Sequence, residues 1–325
     1  MPSNASPVRI LVAGLGAFGR EHLGRLAARP DVTVVGVADT NPSTLQVIHS
    51  HHSNMKCCTD PLRLIDETVA DAIVIATPAA SHVEICRYAL NRNLCVLLEK
   101  PVAPSAAAIA PVLAAAMLSK GFVLPGHVLR FSKDHARLVQ IVRSGWIGKV
   151  VYVNSRRYRD DSHAIRYADT DPVLMTLIHD IDLALWVTGS DFRAVVARRS
   201  IGSGFRSMTA VSATTVAGVT CDLRTAWTFT DGILPPDRLE VVGDRGSVEL
   251  VTGQGLSAFA KGKCTSYLAA ATDDPLQNEH AHFLACVLNR SQRRALELTD
   301  ALAGLRLADA AIESLRLNRE VVLSP

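Results

Sequence analysis

Val8-Arg9-Ile10-Leu11-Val12-Ala13-Gly14-Leu15-Gly16-Ala17-Phe18-Gly19 decides the fold. The apolar run reads as a fully buried strand of a parallel sheet. It ends directly in G-x-G-x-x-G, and helix-favouring residues follow from Arg20 to Ala28. Each glycine answers a different need. Gly14 permits the tight turn off the strand, Gly16 leaves no Cβ between the backbone and a pyrophosphate, and Gly19 lets the helix lie close on the sheet. Ala17 and Phe18 open that helix, whose free N–H groups and partial positive charge suit the same pyrophosphate.

A second apolar run, residues 32–38, delivers Asp39 at the spacing of an acid that hydrogen-bonds an adenosine ribose diol. Asp39 would repel a 2′-phosphate and no arginine follows it, so the pattern favours NAD over NADP. The same aspartate also suits a helix cap, because Asn41-Pro42-Ser43 comes next.

The alternation then repeats. Residues 72–76 form a buried strand stopped by Thr77-Pro78, and Ser81-His82 lead into a helix reaching about Arg92. Residues 94–98 are the next strand, ending in Glu99-Lys100-Pro101. An alanine-rich helix and a strand near 122–126 follow. Buried strands alternating with helices predict a doubly wound α/β Rossmann domain over residues 1–126. Ligands of such sheets bind beyond the carboxyl ends of the strands.

Near Phe131 the pattern changes. Candidate strands recur at about 150–153, 195–201, 208–216, 219–229, 238–242 and 247–251, separated by glycine-rich turns. One helix, residues 176–188, interrupts them and carries His179-Asp180-Ile181-Asp182; two more, near 275–289 and 299–317, come late. Residues 127–325 therefore read as an α+β domain with a large, mostly antiparallel, open-faced sheet and helices on one face. The last helix is able to pack back near the domain junction. An open sheet face would expose apolar side chains unless covered, which predicts a homodimer or homotetramer through those sheets.

At 325 residues the chain suits two domains, and 48% hydrophobic with 20% charged residues marks a globular protein rather than a disordered one. A net charge of +3 without a basic run argues against nucleic acid and against a membrane surface. The seven cysteines form no C-x-x-C pair and read as thiols in a reducing compartment rather than disulfides or a zinc site, so no metal is expected. The polar start and the lack of a long apolar stretch predict a cytoplasmic protein.

Gly14-Leu15-Gly16-Ala17-Phe18-Gly19, Thr77-Pro78 with His82, Glu99-Lys100-Pro101 and His179-Asp180-Ile181-Asp182 occur in that order over nearly the whole chain. The set resembles the Gfo/Idh/MocA oxidoreductases. The resemblance implies a nicotinamide cofactor and a sugar, cyclitol or sugar-derivative substrate. It implies that Lys100 and His179 contact the reacting hydroxyl. A cation at Lys100 would lower the hydroxyl's pKa and stabilise a developing alkoxide, and a histidine can accept the proton. Thr77, Pro78, His82, Glu99 and Lys100 join the glycine loop and Asp39 as the expected cofactor set. For both catalytic candidates there is a plainer reading: a surface lysine before a proline, and a helix-start histidine flanked by capping carboxylates.

Relatives often place an aspartate four residues before this histidine, where it binds a substrate hydroxyl; here the residue is Met175, which can accept no proton. Further substrate candidates are His127 and Arg130 in Gly-His-Val-Leu-Arg-Phe, together with Asp182. The run Arg156-Arg157-Tyr158-Arg159 adds Arg157 and Tyr158. Strand alternation sends Arg157 and Arg159 to one face and Arg156 and Tyr158 to the other. Free guanidinium groups there would suit a carboxylate or phosphate, which motivates a nucleotide-sugar substrate as an alternative. The other alternative, motivated by Met175, is a cofactor-binding sensor without turnover.

Overall fold

The computed structural model describes residues 6–204, 206–230, 232–270 and 272–323. Two compact units emerge. One holds the residues up to Gly126 together with Leu276–Ala301; the other holds His127–Pro275 and the residues from Leu302 on. Residues 276–301 thus depart from the expected second domain, because they supply core to the first unit: Phe283 is fully buried, its ring edge-on to Phe122.

The helices, in chain order, are α1 (Ala17–Ala27), α2 (Pro42–His51), α3 (Pro61–Glu67), α4 (Ala79–Asn91), α5 (Ala110–Leu118), α6 (Lys133–Arg143), α7 (Ser162–Arg166), α8 (Ile178–Thr188), α9 (Pro275–Leu288) and α10 (Leu298–Leu317).

The first unit is built on six parallel strands: β1 (Val8–Ala13), β2 (Val32–Ala38), β3 (Lys56–Cys58), β4 (Ala72–Ile75), β5 (Cys95–Glu99) and β6 (Val123–Gly126). Their order is β3-β2-β1-β4-β5-β6. The central strands β1, β4 and β5 are apolar apart from Arg9 and Glu99, as strands covered on both faces must be, and residues 72–75 and 95–98 are wholly buried. The order reverses between β1 and β4, and the loops after those strands open at this switch point.

The second unit carries nine strands: β7 (Val150–Asp160), β8 (Phe192–Ile201), β9 (Ser207–Thr215), β10 (Thr220–Phe229), β11 (Arg238–Gly243), β12 (Gly246–Val251), β13 (Gly255–Ala260), β14 (Lys263–Leu268) and β15 (Val321–Val322). The order is β14-β13-β12-β11-β7-β10-β9-β8-β15, antiparallel except where β7 and β10 run parallel. One face carries Val153, Leu223, Val211, Val241, Val248 and Leu256, all buried. Register places Tyr152, Asn154 and Arg156 of β7 beside Thr220, Asp222 and Arg224 of β10 on the other face, with Arg238 and Glu240 of β11 alongside. There the Tyr152 hydroxyl donates to Asp222 and Arg238 pairs with Glu249. The expected apolar open face is therefore a polar one. Among the described residues, no helix is long and apolar enough to cross a membrane.

His135 of α6 is buried in this unit. Burial first, and then the Arg157 charge, hold its imidazole down to about 3. Once unfolded it titrates near 6.5. Between those values the unfolded chain binds the extra proton, so stability is full above about pH 6.5 and declines as the pH falls toward 3. Urea melts are expected to lose about 2 kcal/mol from this group between pH 7.5 and pH 5. His135→Leu should flatten that dependence, and an unchanged slope in the variant would refute the account.

Candidate active site

Sterics shape the end of β1 in the first unit. Gly14 has φ +88°, and a Cβ there would lie 2.6 Å from the Ala76 carbonyl oxygen. A Cβ on Gly19 would lie 1.9 Å from the carbonyl oxygen of Gly14, so α1 sits on the loop at backbone contact. At Gly16 a Cβ would meet nothing within 4 Å; Gly16, Ala17 and Phe18 are exposed, whereas Gly14, Leu15 and Gly19 are buried. The loop thus turns its outer three residues and the open first turn of α1 to the exterior, a cradle that fits a pyrophosphate.

Asp39 follows β2. Its Oδ2 accepts from the Leu15 N–H at 2.7 Å, and its Oδ1 accepts from the Asn41 N–H at 2.9 Å. The cap of α2 is Asn41, whose side chain accepts from Ser43 N–H, so capping does not claim Asp39. Each carboxylate oxygen keeps lone-pair capacity toward a diol. Thr77 follows β4 and receives the Ser81 hydroxyl at 2.8 Å, and Pro78 opens α4.

His82 differs from the expectation. Its ring is buried, with Nε2 2.7 Å from the Thr77 carbonyl oxygen and Nδ1 3.0 Å from that of Pro101. Burial lowers its pKa against the pull of those carbonyls. Both nitrogens are spent inside the protein, so His82 braces the loops after β4 and β5 instead of reaching a ligand.

Glu99 ends β5 and is also buried. Its Oε2 accepts from the Lys100 N–H at 3.1 Å, and its Oε1 lies 3.0 Å from His22 Nε2. Lys100 itself is half-buried and joined to Pro101 by a cis peptide. Its backbone is gripped on both sides, by Glu99 before and by His82 through Pro101 after. His22 was not singled out from the sequence, although a signal exists. It falls on the buried stripe of α1 with Gly19, Leu23 and Leu26, where a polar residue needs a partner.

The second unit holds His179 at the second residue of α8, half-buried. A π turn, Val173–Leu177, precedes it and carries Met175. The Thr176 hydroxyl in that turn accepts from Trp227 Nε1 at 3.0 Å, a buried contact that sequence reasoning also missed. Asp180 and Asp182 are not first-turn caps. Arg157 grips Asp180 through Nε at 2.9 Å and also pairs with Asp237, which binds Arg159 as well. Arg130 grips Asp182 through Nε at 2.9 Å and Nη2 at 2.8 Å; His127 Nδ1 is 3.8 Å from the same carboxylate.

Arg157, expected as a substrate clamp, is therefore an internal cation. Burial pulls its pKa down, but the two carboxylates outweigh that pull. Arg130 is likewise an internal partner. The alternation read from the sequence does hold: Arg157 and Arg159 share Asp237, while on the other face Arg156 lies over the Tyr158 ring and Tyr158 stacks on Phe229. Replacing Arg157 by leucine strands the fully buried Asp180, while Asp237 keeps Arg159, at an expected cost of about 3–5 kcal/mol. Chemical denaturation should show this, and a loss below 1 kcal/mol would show that the network contributes little.

The family model for the NAD-binding Rossmann fold of the GFO/IDH/MocA oxidoreductases matches residues 8–127, and the GFO/IDH/MocA C-terminal domain model matches residues 135–249. The chain is 28% identical over 335 residues to an inositol 2-dehydrogenase of Acidothermus cellulolyticus, covering 98% of this chain and 95% of that one. It is 25% identical over 260 residues to inositol 2-dehydrogenase 4 of Saccharopolyspora erythraea, covering 78% and 77%. Its fold is similar to the crystal structure of scyllo-inositol dehydrogenase from Lactobacillus casei with bound NAD(H) and scyllo-inositol, with TM-score 0.85, 18% identity and coverage of 98% of this chain and 99% of that one. The ordered glycine loop, the Glu99-Lys100-Pro101 strand end and the helix bearing His179 stand within these two matched regions, and the chain belongs to the Gfo/Idh/MocA family of NAD-binding oxidoreductases.

Proposed function

We propose that the protein is an NAD-dependent dehydrogenase of a secondary hydroxyl on an uncharged polyol, a cyclitol or a sugar, in preference to a sugar acid. The observation that carries this reading is the placement of Lys100. It leaves the carboxyl end of β5, in the same parallel sheet whose β1 ends in the glycine cradle, with its backbone fixed on both sides. Asp39 favours NAD, since a 2′-phosphate would meet its carboxylate.

Bound nicotinamide supplies the hydride acceptor. The Lys100 ammonium stabilises negative charge as it develops on the substrate oxygen. His179 takes the hydroxyl proton and returns it in the reverse direction. Arg130, Arg157 and Arg159 are all committed to carboxylates, which removes the basis for a nucleotide-sugar substrate and suits a neutral one. The relatives named as inositol dehydrogenases point the same way.

NADH formation across cyclitols, sugars, sugar acids and nucleotide sugars tests the proposal. Turnover is expected with a cyclitol. Lys100→Ala should lose about 10²–10³-fold in kcat and His179→Ala about 10²–10⁴-fold, both with NADH binding retained. Silence across the panel with NAD bound would favour a sensor instead.

Assembly as a homodimer or homotetramer through the nine-stranded sheet would place the polar ladder of Tyr152, Asn154, Asp222 and Glu240 at the interface. Such contacts weaken as salt rises. Sedimentation at low micromolar concentration is expected to show an assembly that dissociates at high salt, and a monomer at low salt would overturn it.

A further inference from the structure

The first unit contains a buried chain of polar side chains that the reaction, as proposed, does not use. It starts at Lys100, whose N–H rests on Glu99 Oε2, and passes through Glu99 Oε1 to His22 Nε2 at 3.0 Å. From His22 Nδ1 it continues to His280 Nε2 of α9 at 2.8 Å. His22 and His280 are fully buried and Glu99 is nearly so. The fold makes room for the chain: a Cβ on Gly126 would lie 2.9 Å from Glu99 Oε1, so the glycine on the neighbouring strand β6 leaves the Glu99 carboxylate its position.

The proton count of the chain follows from its chemistry. The Glu99 carboxylate takes a backbone N–H on one oxygen, and on the other it takes the His22 Nε2–H. Phe18 packs edge-on against the His22 ring at 5.1 Å between centroids. Glu279, adjacent to His280 on α9, is fully buried as well. Burial, and then the charge of Glu99, push its pKa well above the usual carboxylate range. Three elements distant in sequence, α1, the end of β5 and α9, meet in this chain.

We propose that His22, backed by His280, is a positioning residue for Lys100: it holds the Glu99 carboxylate in the orientation that fixes the Lys100 backbone, and so ties the helix of the glycine cradle to the lysine. The proposal deepens the reading of Lys100 given above and rests on it for its effect on turnover. Its physical content, a coupling between His22 and Lys100, stands apart from activity.

The test therefore reads Lys100 directly. The chain has seven lysines, and reductive 13C-methylation gives each a separate resonance; that of Lys100 is assigned by its absence in Lys100→Arg. Two variants split the imidazole. His22→Asn keeps a polar atom near Nδ1 and loses the donor to Glu99, whereas His22→Gln presents an amide N–H near Nε2. His280→Leu is a third variant, which removes the far end of the chain without touching Glu99.

In His22→Asn the Lys100 resonance is expected to move, its titration midpoint by about half a pH unit or more. Its kcat should fall about ten-fold or more while folding is retained. His22→Gln should restore both, kcat to within about three-fold, and His280→Leu should shift the resonance in the same direction as His22→Asn, but less. An unmoved Lys100 resonance and midpoint in both His22→Asn and His280→Leu overturns the proposal. Turnover that survives Lys100→Ala would overturn the role given to Lys100, and the resonance would then still decide the coupling by itself.

Discussion

Backbone contact at the end of β1 is the constraint on which the first unit depends. The turn of α1 at Gly19 lies against the Gly14 carbonyl so closely that no side chain fits between them. With the helix held there, Gly16 to Phe18 turn outward, and His22, one turn further along, points into the core toward Glu99. Asp39 closes the arrangement by accepting the Leu15 N–H from the end of the neighbouring strand. A larger residue at Gly19 would have to lift the helix and would disturb the cradle and the buried chain together.

Buried charge organises the second unit in a comparable way. A guanidinium removed from water needs carboxylates at hydrogen-bond distance, and Arg157 has two. Arg157 and Arg159 against Asp180 and Asp237 balance two charges with two. The carboxylates on both sides of Ile181 are each held by an arginine, which fixes the first turns of the helix that presents His179. An anionic substrate would have to compete with these internal partners, whereas a neutral polyol would not.

Much of this architecture was legible in the sequence because its causes are local. Continuous apolar runs report strands buried on both faces, and the glycine spacing reports a turn and a close approach that only glycine allows. The short edge strands β3 and β14, and β13 beside the latter, were not legible. Lys56–Cys58 is three residues long, and Gly255–Ala260 and Lys263–Leu268 mix small and polar residues on a hairpin that is covered on one side at most. The apolar face expected on the large sheet failed for a related reason: periodicity shows which residues alternate, and the outward set here is Tyr152, Asn154, Arg156, Asp222 and Glu240.

The sequence by itself determined the parallel sheet, the glycine cradle, Asp39 at the end of β2 and the strand-end position of Lys100, since each follows from steric and periodic rules over a few residues. Only the tertiary structure decided which polar groups are spent on one another. His22 meets His280 across 258 positions, Arg130 meets Asp182 across 52, and Arg157 meets Asp237 across 80. A charged residue reads alike in sequence whether it awaits a ligand or already holds a partner. The difference lies in long-range packing, which brings the partner within hydrogen-bond distance and removes the water that would otherwise compete for it.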